Sequence, residues 1–231
     1  MSHSFDQFQQ QRDVAFVDEA GKLSSARRDA LLRQAIVQRY SSDRPLETVS
    51  DIAGNGTSLI ALPAGYEQGF SSIRSIEFPV GSVPPVLLLD EDWQLYRDTS
   101  ALKIMLLGST AAATDTLRVT FTARHLDDGS TVPDADFEAV CDYAAALCYD
   151  AMAGLYTQSG DPSLAADVVN YRTKNQEYQS LANAARKRYF QHMGIDPSDT
   201  STGTGPAIAT GNLYETQGSG LDRLTHPRSS R

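Results

Sequence analysis

The stretch PDADFEAVCDYAAALCYDAMAGLY, residues 133–156, decides the fold. Phe137, Val140, Cys141, Ala144, Leu147, Cys148, Ala151 and Leu155 recur at three- and four-residue spacing, the period of one helical face. Ala139, Ala144, Ala145, Ala146, Ala151 and Ala153 keep the surface small, so another backbone can approach closely. The spacing predicts a helix over 133–158. Thr131 and Asp134 form a capping-box-like start, with Pro133 inside the first turn. Asp134, Asp136 and Glu138 fill the first turns, and no Lys or Arg occurs in the segment.

A second long helix is predicted over 162–193. Asp161 is its N-cap, Pro162 its first residue, and Gly194 follows its end. Leu164, Val168, Tyr171, Asn175, Tyr178, Leu181, Ala182, Ala185 and Tyr189 keep the helical spacing. The connection Ser159-Gly160-Asp161-Pro162 is short, so the two helices run antiparallel. Folding about residue 161 sets 134–138 opposite roughly 184–188, where Arg186, Lys187 and Arg188 stand. An exposed ion pair is worth only ~0–1 kcal/mol, so this charge pattern sets orientation more than stability. A hairpin and one short helix make a thin core, which points to coverage by the sheet or by a second copy.

Upstream, residues 46–126 change character. Short β-branched and apolar runs near 47–53, 57–62, 73–80, 92–97, 102–107 and 116–125 predict strands. Residues 117–124, LRVTFTAR, alternate with period two, as a half-buried strand does. Gly54-Asn55-Gly56 reads as a hairpin turn between the first two runs. Val83-Pro84-Pro85 marks an edge or a crossing. Residues 24–40 predict a helix with Ser24 or Ser25 as N-cap, ended by Arg44-Pro45. Leu31, Leu32, Ala35, Ile36 and Tyr40 form its apolar face; Arg27, Arg28, Arg33 and Arg39 take the others.

The ends read differently. Residues 1–23 are a polar, Gln-rich arm, poorly ordered alone, with an apolar patch at Val14, Phe16 and Val17. In the tail, 195–231, Gly, Ser, Thr and Pro make up over half of the residues, too little apolar matter to order itself alone. Ile208, Leu213, Tyr214, Leu221 and Leu224 are spaced along it, as in a strap lying on a partner. The expected fold class is therefore α+β: a helical core (24–45 and 127–194), an inserted small antiparallel β-sheet or sandwich (46–126), and extended termini.

Composition narrows the function. The chain has 231 residues, 41% apolar and 8% aromatic, enough for a sizeable core. Its 20 basic and 29 acidic residues leave a net charge of −9, which argues against wrapping nucleic acid on a basic surface. No apolar run approaches the ~18 residues that span a bilayer, and the N-terminus lacks a signal-peptide core, so a cytoplasmic protein is expected. Cys141 and Cys148 lie about 10 Å apart along one helix, too far for a mutual disulfide. His3, His125, His192 and His226 show no metal-ligand spacing, and no nucleophile motif or Walker lysine occurs. Asp90-Glu91-Asp92 reads as a solvated turn, or as a cation or acid–base site; Trp93 with Tyr96 reads as a core or interface pair, or as a stacking platform.

The order of elements resembles the head–tail connector (neck adaptor) proteins of tailed bacteriophages. The resemblance runs over roughly 24–193: a helix ending in Gln38-Arg39-Tyr40-Ser41, a β-rich insertion, and a helical hairpin ending in Ala185-Arg186-Lys187-Arg188-Tyr189-Phe190. Trp93-Gln94-Leu95-Tyr96-Arg97 and the strand Leu117–Thr122 are similar to the insertion that some of them carry. The resemblance implies a virion structural protein of the neck, without enzymatic activity or cofactor, present in the host cytoplasm before assembly. About a dozen copies would form a ring between the portal and the tail or next neck protein. The ring would extend the DNA channel without sequence-specific binding and without a membrane. Arg186, Lys187 and Arg188 are then candidates for a face toward the portal or a neighbouring subunit, as are Arg27, Arg28 and Arg33. Ile208, Leu213 and Tyr214 are candidates for anchoring the tail. Two other readings are open: a tail-completion or baseplate component, and a small carbohydrate-binding or hydrolytic protein using Asp90–Trp93.

Overall fold

The computed structural model describes residues 3–18, 21–158 and 171–196. They fall in the unit Met1–Asp196; the unit Pro197–Arg231, with the tail calls at Ile208, Leu213 and Tyr214, lies outside the described residues. The class is mixed α+β, as expected.

The helix centred on residues 133–156 organises the rest. A 3₁₀ turn, Asp134–Asp136, leads into α4, Phe137–Gln158. It is hidden on nearly every side: Val140, Cys141, Ala144, Ala145, Ala146, Cys148 and Met152 are all 0–1% exposed. A helix enclosed to this extent is central, and its few charges, among them Asp142 and Asp150, are met by arginines of a neighbouring helix. On one side lies α5, Tyr171–Met193, which buries Ala182, Ala185 and Tyr189. Leu181, expected on the same stripe, is exposed, because the buried line steps from Tyr178 to Ala182. The calls at Asp161, Pro162, Leu164 and Val168 lie outside the described residues.

On the other sides of α4 pack two N-terminal helices. The region read as a loose arm folds as α1, Phe5–Ala15. Ser4 accepts from the Gln7 backbone N–H while the Gln7 side chain accepts from the Ser4 N–H at 2.8 Å, a reciprocal cap that the polar composition concealed. Phe8 and Phe16 are buried under α4, and only Val14 and Val17 of the patch are exposed. α2, Ser25–Gln34, starts at Ser24 as expected. It continues as a π-helical stretch, Ala35–Tyr40, and one α turn, α3, Ser41–Asp43.

The β-rich segment makes two three-stranded antiparallel sheets. The first joins β1 (Leu46–Ala53), β6 (Thr116–Ala123) and β3 (Ile73–Glu77) in the order β1-β6-β3. The second joins β2 (Leu59–Ala61), β5 (Leu102–Leu106) and β4 (Trp93–Arg97) in the order β2-β5-β4. Leu117, Val119 and Phe121 of β6 alternate inward as predicted and share a core with Ile60, Ile76, Ile104 and Leu106.

Gly54-Asn55-Gly56 is not the hairpin that its composition announced. β1 and β2 belong to different sheets, and the three residues turn the chain from one to the other. Asn55 Oδ1 accepts from the Thr57 N–H at 3.0 Å, and the Gly54 and Gly56 N–H groups donate to Asp115 O and Ala111 O, both at 2.8 Å. A Cβ at Gly54 would stand 2.1 Å from Ala112 O, so this corner presses directly against the loop before β6. Gly and Asn fix the turn itself, while the sheets decide which strands it joins.

No helix among the described residues is long and apolar enough to cross a membrane. Two glycines test the packing with opposite signs. Gly54→Ala forces a methyl onto backbone oxygen and is expected to destabilise by about 1–3 kcal/mol. Gly154→Ala, in open space on α4, should stabilise by about 0.5–1 kcal/mol. Thermal unfolding of both variants beside the parent reads the two signs.

Candidate functional site

The π-helical stretch, the entry to α4 and the end of α5 meet at the Asp136 carboxylate, which is 1% exposed. Tyr40 Oη donates to Oδ2 at 2.6 Å. Arg44 Nη1 donates to Oδ1 at 2.7 Å and Oδ2 at 2.8 Å, and His192 Nε2 stands 2.8 Å from Oδ1. Burial alone would raise this carboxyl; the hydrogen bonds from Tyr40, His192 and Arg44, with the Arg44 charge, outweigh it and hold it below the usual carboxylate range. Burial, with the neighbouring carboxylate, pushes the Tyr40 phenol well above its ordinary value.

A second pair repeats the design nearby. Tyr189 Oη donates to Asp43 Oδ2 at 2.5 Å, and Arg39 Nε pairs with the same oxygen at 2.8 Å. The Arg39 guanidinium lies 5.0 Å from the centre of the Phe190 ring. Burial, joined by Asp43, drives the Tyr189 phenol strongly upward.

The end of β6 attaches here. Arg124 Nη1 donates to Val37 O in the π-helical stretch at 3.0 Å. Ser41 Oγ donates to Ile36 O and accepts from the His125 N–H, both at 2.9 Å. His125 is 5% exposed; Nε2 lies 2.9 Å from Arg44 O and Nδ1 lies 3.0 Å from Thr131 Oγ1. Thr131 O also lies 3.1 Å from Nδ1, so a neutral ring can donate either from Nε2 to Arg44 O, with Nδ1 accepting from the Thr131 hydroxyl, or from Nδ1 to Thr131 O. Burial accordingly lowers the His125 pKa despite the facing carbonyls. Thr131 thus serves His125 and the Leu126 N–H rather than capping α4, and Asp134 pairs with His3. The expected capping box is absent, because its hydroxyl has a nearer ring to satisfy.

The chemistry available follows from this saturation. Each Asp136 oxygen accepts two donors, so the carboxylate has no lone pair aimed at a substrate. Burial raises the thiols of Cys141 and Cys148 to about 12, far from thiolate reactivity at neutral pH. Among the described residues, no group of three or more His, Cys, Asp or Glu is placed to hold a metal ion. The arrangement fastens elements together.

The basic candidates separate. Arg188 grips Asp142 (Nη2–Oδ1 2.6 Å) and Arg186 pairs with Asp150, so α5 is antiparallel to α4 as predicted but about two turns out of the predicted register. His192, not residues 186–188, faces Asp136. Arg28 pairs with Asp13 at 3.0 Å; Arg33 pairs with Asp127 and lies 4.3 Å from the centre of the Phe5 ring. Lys187 and Arg27 are exposed with no ion pair among the described residues. In the acidic turn, Asp92 Oδ2 accepts from the Leu89 N–H at 2.9 Å. Trp93 joins the sandwich core while Tyr96, three residues on, faces the other side of β4, so the two make no common platform.

No family model matches the chain, and no curated protein matches it. Among solved structures it is similar to a chain of the "Neck of empty GTA particle computed with C6 symmetry", with a TM-score of 0.30 and 14% identity over 77% of this chain and 89% of that one. A chain of the "Virion of native gene transfer agent (GTA) particle" gives 0.29 and 16% over 77% and 89%. One of the "Neck of native GTA particle computed with C12 symmetry" gives 0.28 and 16% over 78% and 94%. Scores this low establish neither a shared fold nor a shared role.

The joint has a pH signature. Asp136 titrates below its unfolded value, so its contribution is complete above about pH 4 and lost as pH falls through the folded value. His125 is held neutral, so its contribution is complete above about pH 6.5 and declines as pH falls toward the folded value. Urea unfolding across this range should show stability falling toward acid. Asp136→Asn should cost about 2–3 kcal/mol at pH 7 and flatten the most acidic part of the profile.

Proposed function

We propose that this chain is a structural protein of a virion neck: a head–tail connector whose copies form a ring between the capsid portal and the tail or next neck protein. Its work is assembly, and it needs no cofactor and catalyses nothing.

The observation that carries the reading is the convergence of its most diagnostic segments. The segment Gln38–Ser41 and the segment Ala185–Phe190, 145 residues apart at Tyr40 and Ala185 in the sequence, meet through the Arg39–Phe190 contact, and Tyr189 bonds Asp43 two residues further on. The quoted features are thus parts of one structural joint, as a scaffold protein requires.

Charge suits the role. The β-rich segment holds an acidic excess, and an acidic lumen would repel DNA phosphates and let a genome slide. Lys187 and Arg27, exposed and without an ion pair among the described residues, are the cations offered to the portal or to a neighbouring subunit. Ile208, Leu213 and Tyr214 are the residues that would anchor the tail on a partner.

Electron microscopy of the full chain, alone and mixed with the portal of the same particle, tests this. Rings of about a dozen copies seated on the portal are expected. Absence of both rings and portal binding at high concentration would overturn the proposal.

A further inference from the structure

The two sheets have four lateral edges, and their backbones differ in what they offer. β3 is covered, since Phe78 N–H donates to Val86 O at 2.9 Å and Leu88 N–H donates to Ile76 O at 2.8 Å. β2 is only three residues long. β1 and β4 remain as the long open edges, of 8 and 5 residues, and neither contains Pro or Gly. Edge strands left plain in this way are templates for pairing with another chain.

The ladder parity shows which groups are free. Leu107 N–H donates to Asp92 O and Asp98 N–H donates to Ala101 O, so the even residues of β4 bond to β5. The backbone groups of Trp93, Leu95 and Arg97 therefore point outward. Gly54 N–H donates to Asp115 O, so the even residues of β1 bond to β6. Glu47, Val49 and Asp51 point outward by the same rule.

These two edges complement one another. Leu95 is 42% exposed and Val49 is 56% exposed, each at the centre of its edge. Arg97 and Glu47 are exposed, with no ion pair among the described residues, whereas Asp51 is already held by Arg118 at 2.8 Å. An antiparallel register with Leu95 opposite Val49 sets Arg97 opposite Glu47 and Trp93 opposite Asp51. Self-pairing of β1 about Val49 would set Glu47 against Asp51 of the other copy, like charge on like charge.

We infer that β4 of one copy adds to β1 of the next, with Leu95 against Val49 and Arg97 against Glu47. The pairing is head-to-tail, so it repeats from subunit to subunit, and the ring proposed above requires that its rotation close. It rests on the ring reading proposed above and names the surface that builds it.

Single-cysteine variants decide it. Val49→Cys and Leu95→Cys, one carrying a mass tag, are mixed and oxidised under conditions in which the parent oligomerises. Opposed residues sit about 5.5 Å apart between Cα atoms, within disulfide range. Cys141 and Cys148 are buried and do not compete. Mixed disulfides at least tenfold above either homodimer are expected. Val49→Pro and Leu95→Pro each remove only an outward N–H, so the monomer should keep its circular dichroism while association weakens at least tenfold. Rings without the mixed disulfide, or with Leu95→Cys homodimers instead, overturn this pairing and leave the neck reading standing. Failure of the parent to form rings on the portal overturns both.

Discussion

A carboxylate that is almost wholly removed from water must be met by donors, and Asp136 obtains them from three directions at once. Tyr40 reaches it from the π-helical stretch, Arg44 from the position after α3, and His192 from the end of α5. Stripped of any one, a buried charge would be left short of partners, a cost that folding cannot ignore. The demand ties together segments that no local preference would bring near. It also orients the hairpin, since α5 must present its last turn, and not an earlier one, to the start of α4.

The remainder of the chain is arranged around that joint. α4 is enclosed by α1, α2 and α5, and its small side chains permit the close approach that enclosure requires. Arg12, 2% exposed, lies between Asp13 and Asp29, so the first helix is fastened by charge as well as by Phe8 and Phe16. The sandwich has its own core, and its last strand is held to the helices through Arg124, His125 and Ser41. Polar side chains are used throughout to join elements.

Much of this is legible in the amino-acid sequence. The six strands fall within a few residues of the predicted runs, and the boundaries at Ser24 and Arg44 follow from capping and proline chemistry. The joint was not legible. By spacing alone Tyr40 and Tyr189 continue apolar stripes and Asp136 is an acid at a helix start, though a tyrosine closing an apolar stripe needs a partner for its hydroxyl once buried. Ser4 and Gln7 were a usable cap signal hidden in a Gln-rich stretch. Asn55, flanked by glycine, reported a turn but carried nothing on which strands that turn would connect.

Periodicity, capping and turn residues act over three or four positions, so the amino-acid sequence alone determined the class of each segment, most of its ends and the antiparallel sense of the hairpin. Helix register, strand partners and the identity of the buried ionic centre depend on groups separated by 36 to 96 positions, as Asp150 is from Arg186 and Tyr40 from Asp136. Only the tertiary structure decided these, because burial assigns each donor its acceptor after the chain has closed on itself.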